Sequence, residues 1–348
     1  MQNVMNNFQA IYDKKQMSLV KFGLVIAFAG AMFNCVFQNF NVAATSLIEG
    51  DFTGTLLAGF FMSIMTLGIC EILGGIFMII WNIIRGIPFA EVPRNWKVKS
   101  GRMIMISALV AGPIGTACSV MAISMCGSTY ANCIIGLAPI AAALMGVFIL
   151  HEKISKRAWI GIFVSILGAL IATMGPPEDV EHFMLGIMIA IICPIAFATE
   201  AIISTHAVDV TDPVHSCPMY RMIASGIFEI IIALIVACIT GHAAWIGLLF
   251  SAIFATPMCV VFMICTSLAM FIQYNTAYAS FNYCGAAKSQ AILWTGTFWT
   301  IPVGFAMSAM HILPYSVTAM GIVGAIVVVI GIILVVAKPS ELFDLRSN

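Results

Sequence analysis

Charge is what this chain has least of. Only 9% of its 348 residues are charged, against roughly a quarter in an ordinary soluble domain. A surface so poor in charge cannot be kept in water, so the main solvent must be lipid. No excess of either sign exists, since the formal net charge is +0, and this removes the basic bulk that a nucleic-acid partner needs. Paired cysteines are missing too. The eleven cysteines are scattered through apolar stretches with no C-x-x-C spacing and no zinc-like Cys/His cluster, so they read as small apolar packers, and no metal or other cofactor is expected. There is no G-x-x-x-x-G-K-[S/T] loop for nucleotide hydrolysis, and no H-E-x-x-H or G-x-S-x-G for an intramembrane hydrolase. Met1–Gln16 is polar and lacks the short apolar core and small-residue site of a removable signal.

What is present in abundance is hydrophobic sequence: 61% of residues, with a mean hydropathy of +1.06. A membrane helix requires about 20 mostly apolar residues. Runs of that kind lie near 18–43, 55–83, 103–125, 129–150, 157–174, 183–206, 218–240, 258–281, 288–309 and 315–337. The expected fold is therefore all-α and polytopic, with ten transmembrane helices. A further apolar stretch at 243–257 reads either as an interfacial helix broken by Pro257 or as the start of a very long eighth span.

Basic residues gather on the cytoplasmic side of membrane proteins. Lys14, Lys15 and Lys21 precede or open the first span. Arg85, Arg94, Lys97, Lys99 and Arg102 lie between the second and third, and Lys153, Lys156 and Arg157 between the fourth and fifth. Arg221, Lys288, Lys338 and Arg346 fall at the remaining even-numbered loops or the C-terminus. Ten spans with both termini inside then put all fifteen basic residues on one side, facing Glu49, Asp51, Glu178, Asp179 and Glu181 on the other. The expectation is a multi-pass protein of the plasma (inner) membrane with cytoplasmic termini.

The chain also repeats. Gly68-Ile69-Cys70-Glu71-Ile72 matches Gly226-Ile227-Phe228-Glu229-Ile230, 158 positions later, and the same offset links Cys126-Gly127 to Cys284-Gly285. Five spans per half is an odd number, so the halves enter the membrane from opposite sides as an inverted repeat. The division expected is a cytoplasmic segment at 1–17, five-helix repeats at 18–177 and 178–337, and a cytoplasmic tail at 338–348.

Glu152-Lys153-Ile154-Ser155, followed by Gly161 and Gly168, resembles the E-x-[L/I]-[S/T]…G…G signature of EamA-type transporters, and Pro139 suits the same pattern. The ten-span, five-plus-five layout is similar to the drug/metabolite transporter superfamily over nearly the whole chain. The second half departs from the signature: His311-Ile312-Leu313-Pro314 stands at its joint, and Gly321, Gly324 and Gly331 keep only the glycine-rich last span. The resemblance implies secondary transport of a small metabolite or drug-like compound rather than enzymatic catalysis.

Three carboxylates fall inside apolar runs: Glu71, Glu229 and Glu200. A charge at the bilayer centre costs about 3 kcal/mol even on insertion scales, so such residues usually face a cavity or a partner. Glu71 and Glu229 are repeat mates, and a pseudo-two-fold axis could bring them to one site. Two carboxylates sharing a low-dielectric cavity disfavour each other's charge, which suits proton exchange or a cationic substrate. The plain alternative is hydrogen bonding across tightly packed helices, because Gly68, Gly75, Gly226 and Ala233 share their faces. Glu200 reads either as hydrated near the cytoplasmic end or as paired with Arg221 or Lys288. Polar and aromatic stripes complete the candidate binding set: Asn34, Gln38 and Asn41 in the first span; Phe271, Asn275, Tyr278 and Asn282 in the eighth; Gln290, Trp294 and Phe298 in the ninth. They read as a pocket wall or as interhelical hydrogen bonds. The functions in competition are a carrier coupled to protons through these glutamates, an uncoupled facilitator or exchanger, and a membrane-embedded enzyme or receptor. The partners expected are a small-molecule substrate, the lipid bilayer and, for the coupled carrier, protons, with no nucleic acid.

Overall fold

Within lipid no water is available for backbone N–H and C=O groups, so an apolar chain closes them internally as helix. The computed structural model describes residues 2–48, 56–87, 97–150, 156–174, 182–208, 217–284, 289 and 292–336, and every regular element among them is helical. In chain order these are α1 (Gln2–Ser46), α2 (Leu56–Ile84), α3 (Lys99–Val110), a π-helical segment (Ala111–Thr116), α4 (Ala117–Cys126), α5 (Ser128–Ile135), α6 (Ala138–Leu150), α7 (Lys156–Thr173), α8 (Phe183–Ala190), α9 (Ile192–Val208), α10 (Cys217–Ile239), α11 (Ala244–Ala255), α12 (Pro257–Cys284), α13 (Gly296–Ala309) and α14 (Ala319–Val336). The first α-helix, the π segment between α3 and α4, and the breaks at Gly136 and Ile191 mean that several spans are built from more than one element.

Eight helices among the described residues are long and apolar enough to cross a membrane: Met17–Ser46, Leu57–Ile84, Lys99–Cys126, Ser128–Met145, Lys156–Thr173, Phe183–Glu200, Cys217–Ile239 and Pro257–Ser280. They coincide with the first eight expected spans. α13 and α14 are the shorter described helices where the ninth and tenth were expected. The outer surface is apolar, with side chains such as Ile239 (80% exposed) and Phe254 (74%) turned outward. This is the surface of a multi-pass membrane protein. The stretch 243–257 forms a helix of its own: Thr256 leaves helical geometry (φ −115, ψ 88), and Pro257, which has no N–H to leave unsatisfied, opens α12. Trp81 is 40% exposed near the end of α2 under the Arg85 guanidinium, 5.9 Å from its ring, a position that suits an interfacial aromatic belt.

Glycines decide which helices touch. α2 packs on α10, α7 on α14, α1 on α12, and α3, π segment and α4 on α8 and α9. At the α2–α10 crossing a Cβ on Gly68 would stand 3.0 Å from the Gly226 carbonyl oxygen, and one on Gly226 would stand 2.6 Å from that of Gly68. The α7–α14 crossing repeats the device: a Cβ on Gly161 would meet Gly331 O at 2.7 Å, and one on Gly324 would meet Gly168 O at 2.6 Å. The glycine-rich last span is thus the counterface of the Gly161 and Gly168 signature positions. Glu152, Lys153, Ile154 and Ser155 lie outside the described residues. Gly127 sits at the α4–α5 turn with φ +86, a conformation glycine adopts without steric cost. Pro194 lies in the first turn of α9, where a missing N–H costs nothing; Pro302 is inside α13.

A candidate coupling site around Arg221

Arg221 corrects the sequence reading. The sequence places it among loop charges, yet it lies one turn into α10 and is 0% exposed, the largest fully buried side chain among the described residues. The rule that sorts basic residues to one face therefore does not apply to it. A guanidinium can be buried only with its donors and charge answered, and here four elements answer. Its Nη1 donates to Glu71 Oε1 of α2 at 2.5 Å, and its Nε to Glu200 Oε1 of α9 at 3.2 Å. Its Nη2 donates to Thr116 Oγ1 at 3.2 Å. The Tyr274 ring of α12 lies 4.6 Å from its Cζ, a cation–π distance. Of the alternatives for Glu200, pairing with Arg221 is the one observed.

The π segment explains how Thr116 reaches this position. Pro113 removes a backbone donor, and the turn widens: Ala117 N–H bonds Gly112 O, five residues back, and Thr116 Oγ1 bonds Ala111 O. Thr116→Val should leave Nη2 without its protein acceptor. The expected cost is about 1–3 kcal/mol, read as a lower melting temperature of the purified protein; an unchanged melting temperature would mean this hydrogen bond contributes nothing.

Arg221, Ser225 and Glu229 follow one another at i, i+4 and i+8 on α10, so one helix face carries the whole set. Glu229 is 0% exposed, and neither of its carboxyl oxygens has a hydrogen-bond partner. The same holds for Ser225 Oγ and for Glu71 Oε2. Gly112 of the π segment faces this group. A Cβ there would fall on Ser225 Oγ and stand 3.1 Å from Glu229 Oε1, so only glycine leaves the room. Glu229 packs against α2 one helical turn from Glu71: a Cβ on Gly68 would stand 3.0 Å from Glu229 Cβ. The site thus holds three carboxyls against one guanidinium, and two of the three are engaged by it.

The other expected site residues are distributed around this centre. Gln38 is 3% exposed and belongs to a second, uncharged cluster: it accepts from Asn132 Nδ2 (3.0 Å) and donates to Ser119 (3.4 Å), while Thr297 donates to Asn132 O (3.0 Å). Asn34 is half-buried on α1, 3.7 Å from where a Cβ on Gly296 would stand. Asn275 is half-buried on α12, one residue beyond Tyr274. Tyr278 is buried against Met78, Ile104, Cys217 and Tyr220. Trp294 is half-buried and meets Phe197 edge-on at 5.9 Å, one helical turn from Glu200. Gln290 and Lys288 lie outside the described residues. Arg221, Thr116, Ser225 and Tyr274 were not anticipated as site residues. The i, i+4, i+8 register of Arg221, Ser225 and the already expected Glu229 is the signal that could have found two of them.

Three comparisons bear on identity. Residues 52–174 match the model of the EamA-like transporter family. Protein LicB of Haemophilus influenzae (strain ATCC 51907 / DSM 11121 / KW20 / Rd) is 30% identical over 101 residues, which is 29% of this chain and 35% of that protein. The match thus spans about a third of the length of this curated relative. A solved structure described only as the crystal structure of a protein aligns with 90% of this chain and 96% of its own at 12% identity, with a TM-score of 0.46. Residues 52–174, about a third of the chain, are thus similar to the EamA-like transporter family, and the helices of membrane-spanning length agree with a multi-pass membrane protein.

Proposed function

We propose that this protein is a secondary carrier that moves a small metabolite or drug-like compound by alternating access, with Glu71 and Glu229 carrying the coupling proton. The observation that supports it most is the unequal treatment of two repeat mates: Arg221 engages Glu71, while both Glu229 oxygens are buried without partners. In a medium of low dielectric, whichever acid the guanidinium leaves must find another positive charge. If Arg221 moves from Glu71 to Glu229 as the carrier turns over, a proton has to move the other way. Flux and proton transfer are then one event.

The layout we propose is ten spans in two inverted five-helix units, with termini on the cytoplasmic face of the plasma membrane. Its support lies in the packing. α2 on α10 and α7 on α14 are each a helix against its counterpart in the other half, joined by reciprocal glycine contacts. The α1–α12 pairing is echoed by α8 and α9 on the α3, π and α4 rod, as a two-fold axis in the membrane plane requires. Gln38, Asn34, Asn275, Tyr278, Gln290 and Trp294 are proposed to shape the substrate path between the units.

The test is uptake by proteoliposomes. Glu71→Gln and Glu229→Gln keep shape and hydrogen bonding while removing a titratable charge. Each should abolish proton-driven accumulation while the protein still folds, as judged by size-exclusion and helical circular dichroism. Undiminished proton coupling in both variants would refute the assignment, and flux insensitive to pH in the unaltered protein would favour an uncoupled facilitator or exchanger.

A further inference from the structure

Four buried oxygen atoms of this site have no hydrogen-bond partner: Glu229 Oε1 and Oε2, Ser225 Oγ and Glu71 Oε2; of these, Ser225 Oγ and Glu229 Oε1 lie against Gly112. All three residues are 0% exposed. Arg221 does not serve as donor to these atoms, because its bonds run to Glu71 Oε1, Glu200 and Thr116. Such a group is costly to bury. It carries more negative charge than the single Ser225 hydroxyl hydrogen can answer. A buried polar group with no partner signals an unfilled role, and a set of oxygens with excess negative charge is filled by a hard cation. The site also adjoins a π segment, where helical hydrogen bonding is already irregular, and irregular backbone of this kind lines ion sites in membrane carriers.

We infer that Glu229, Ser225 and Glu71, on the Gly112 face of the π segment, form a binding site for a sodium ion. Glu229 supplies the charge and up to two oxygens. Ser225 presents its hydroxyl oxygen from one turn away on the same helix. Glu71 contributes the oxygen that Arg221 leaves free. Gly112 lets Ser225 Oγ approach the π segment, since any side chain there would overlap it. Arg221 sets the occupancy at one: with its charge added, three carboxylates and a single sodium leave a net charge of only −1 in the core. The sodium takes the place that the carrier reading gives to a proton. The inference rests on that reading only for its consequence in transport, because binding requires no flux.

The experiment uses the purified full-length protein in detergent at fixed pH and constant ionic strength, exchanging N-methyl-D-glucamine chloride for sodium chloride. A saturable rise in melting temperature of about 3 °C is expected with sodium. A smaller or absent rise is expected with potassium, whose larger ion fits a compact oxygen set less well. Ser225→Ala and Glu229→Gln should each abolish the sodium rise. No rise when sodium replaces N-methyl-D-glucamine, or a sodium rise that persists in both variants, would overturn the site. Should either variant fail to fold, equilibrium binding of radioactive sodium to the unaltered protein decides: saturable uptake displaced by unlabelled sodium supports it, and none overturns it. The outcome is separable from the carrier reading. Proton-dependent uptake with no sodium binding would sink only the sodium site. Sodium binding with uptake indifferent to both Glu→Gln changes would sink only the proposed coupling.

Discussion

Arg221→Met should destabilise the protein by about 3–5 kcal/mol and abolish coupled transport. Methionine fills much of the same volume and keeps the apolar stem, so the loss is electrostatic. Glu71 and Glu200 would each lose the guanidinium that faces them at 2.5 and 3.2 Å, and Thr116 Oγ1 would lose its donor. Glu200 is partly open, with a side chain 16% exposed, and can recruit water; Glu71 is fully buried and cannot. Most of the cost should therefore sit on Glu71. A second variant makes this falsifiable. Arg221→Met combined with Glu71→Gln removes the stranded charge along with its partner and should recover much of the lost melting temperature, since buried ion pairs can often be replaced by neutral groups at little net cost. Uptake should stay at background in the double variant. If the double variant is no more stable than the single one, the ion pair is not what holds α10 against α2.

Gly226→Val is expected to have the other large effect, through shape alone. A Cβ at this position would stand 2.6 Å from Gly68 O and 3.0 Å from Ile72 N, both backbone atoms of α2 that cannot rotate aside. Overpacking a core commonly costs about 1–3 kcal/mol, and a backbone obstacle puts this site at the upper end or beyond. The helices must separate, and the separation falls between the Glu71 and Arg221 that bridge them. The variant should therefore express poorly or melt early, and any folded fraction should lose coupling as well. Gly247→Val is the control, because nothing lies within 4 Å of a Cβ there. Equal yields and melting temperatures for the two variants would show that the α2–α10 contact is looser than described.

How much of this could be read beforehand depends on which physical signal each feature leaves in one dimension. Helices in lipid leave a strong one, since about 20 apolar residues must follow one another, and the first eight spans were legible to within a few residues. The pairing of Glu71 with Glu229 was legible because repetition preserves spacing. Arg221 was not, because hydropathy treats a charge near the end of an apolar run as a boundary. Three-dimensional packing instead carries α10 past its neighbours, so that its first turn is interior. The π segment leaves no periodic trace; Gly112-Pro113 signals irregularity without saying that Thr116 will meet a guanidinium from another helix. Gln38 was seen as polar and inward, yet its partner Asn132 lies 94 residues away, a separation no local pattern encodes. Tyr274 was passed over for Tyr278 because a stripe at helical spacing does not say which of two tyrosines, four residues apart, lies under the cation.

The position 158 residues before Arg221 is Ser63, buried and uncharged. Only one half of the chain therefore brings a permanent cation to the centre. Two copies of the first half, assembled antiparallel, would set one Glu71 against another with no guanidinium between them, and two copies of the second half would bring two of each. Neither reproduces the unequal pair on which a directional exchange of partners depends. In the two-unit layout proposed above, the halves are complementary parts rather than interchangeable ones, because only their combination sets a single guanidinium beside two unequal acids.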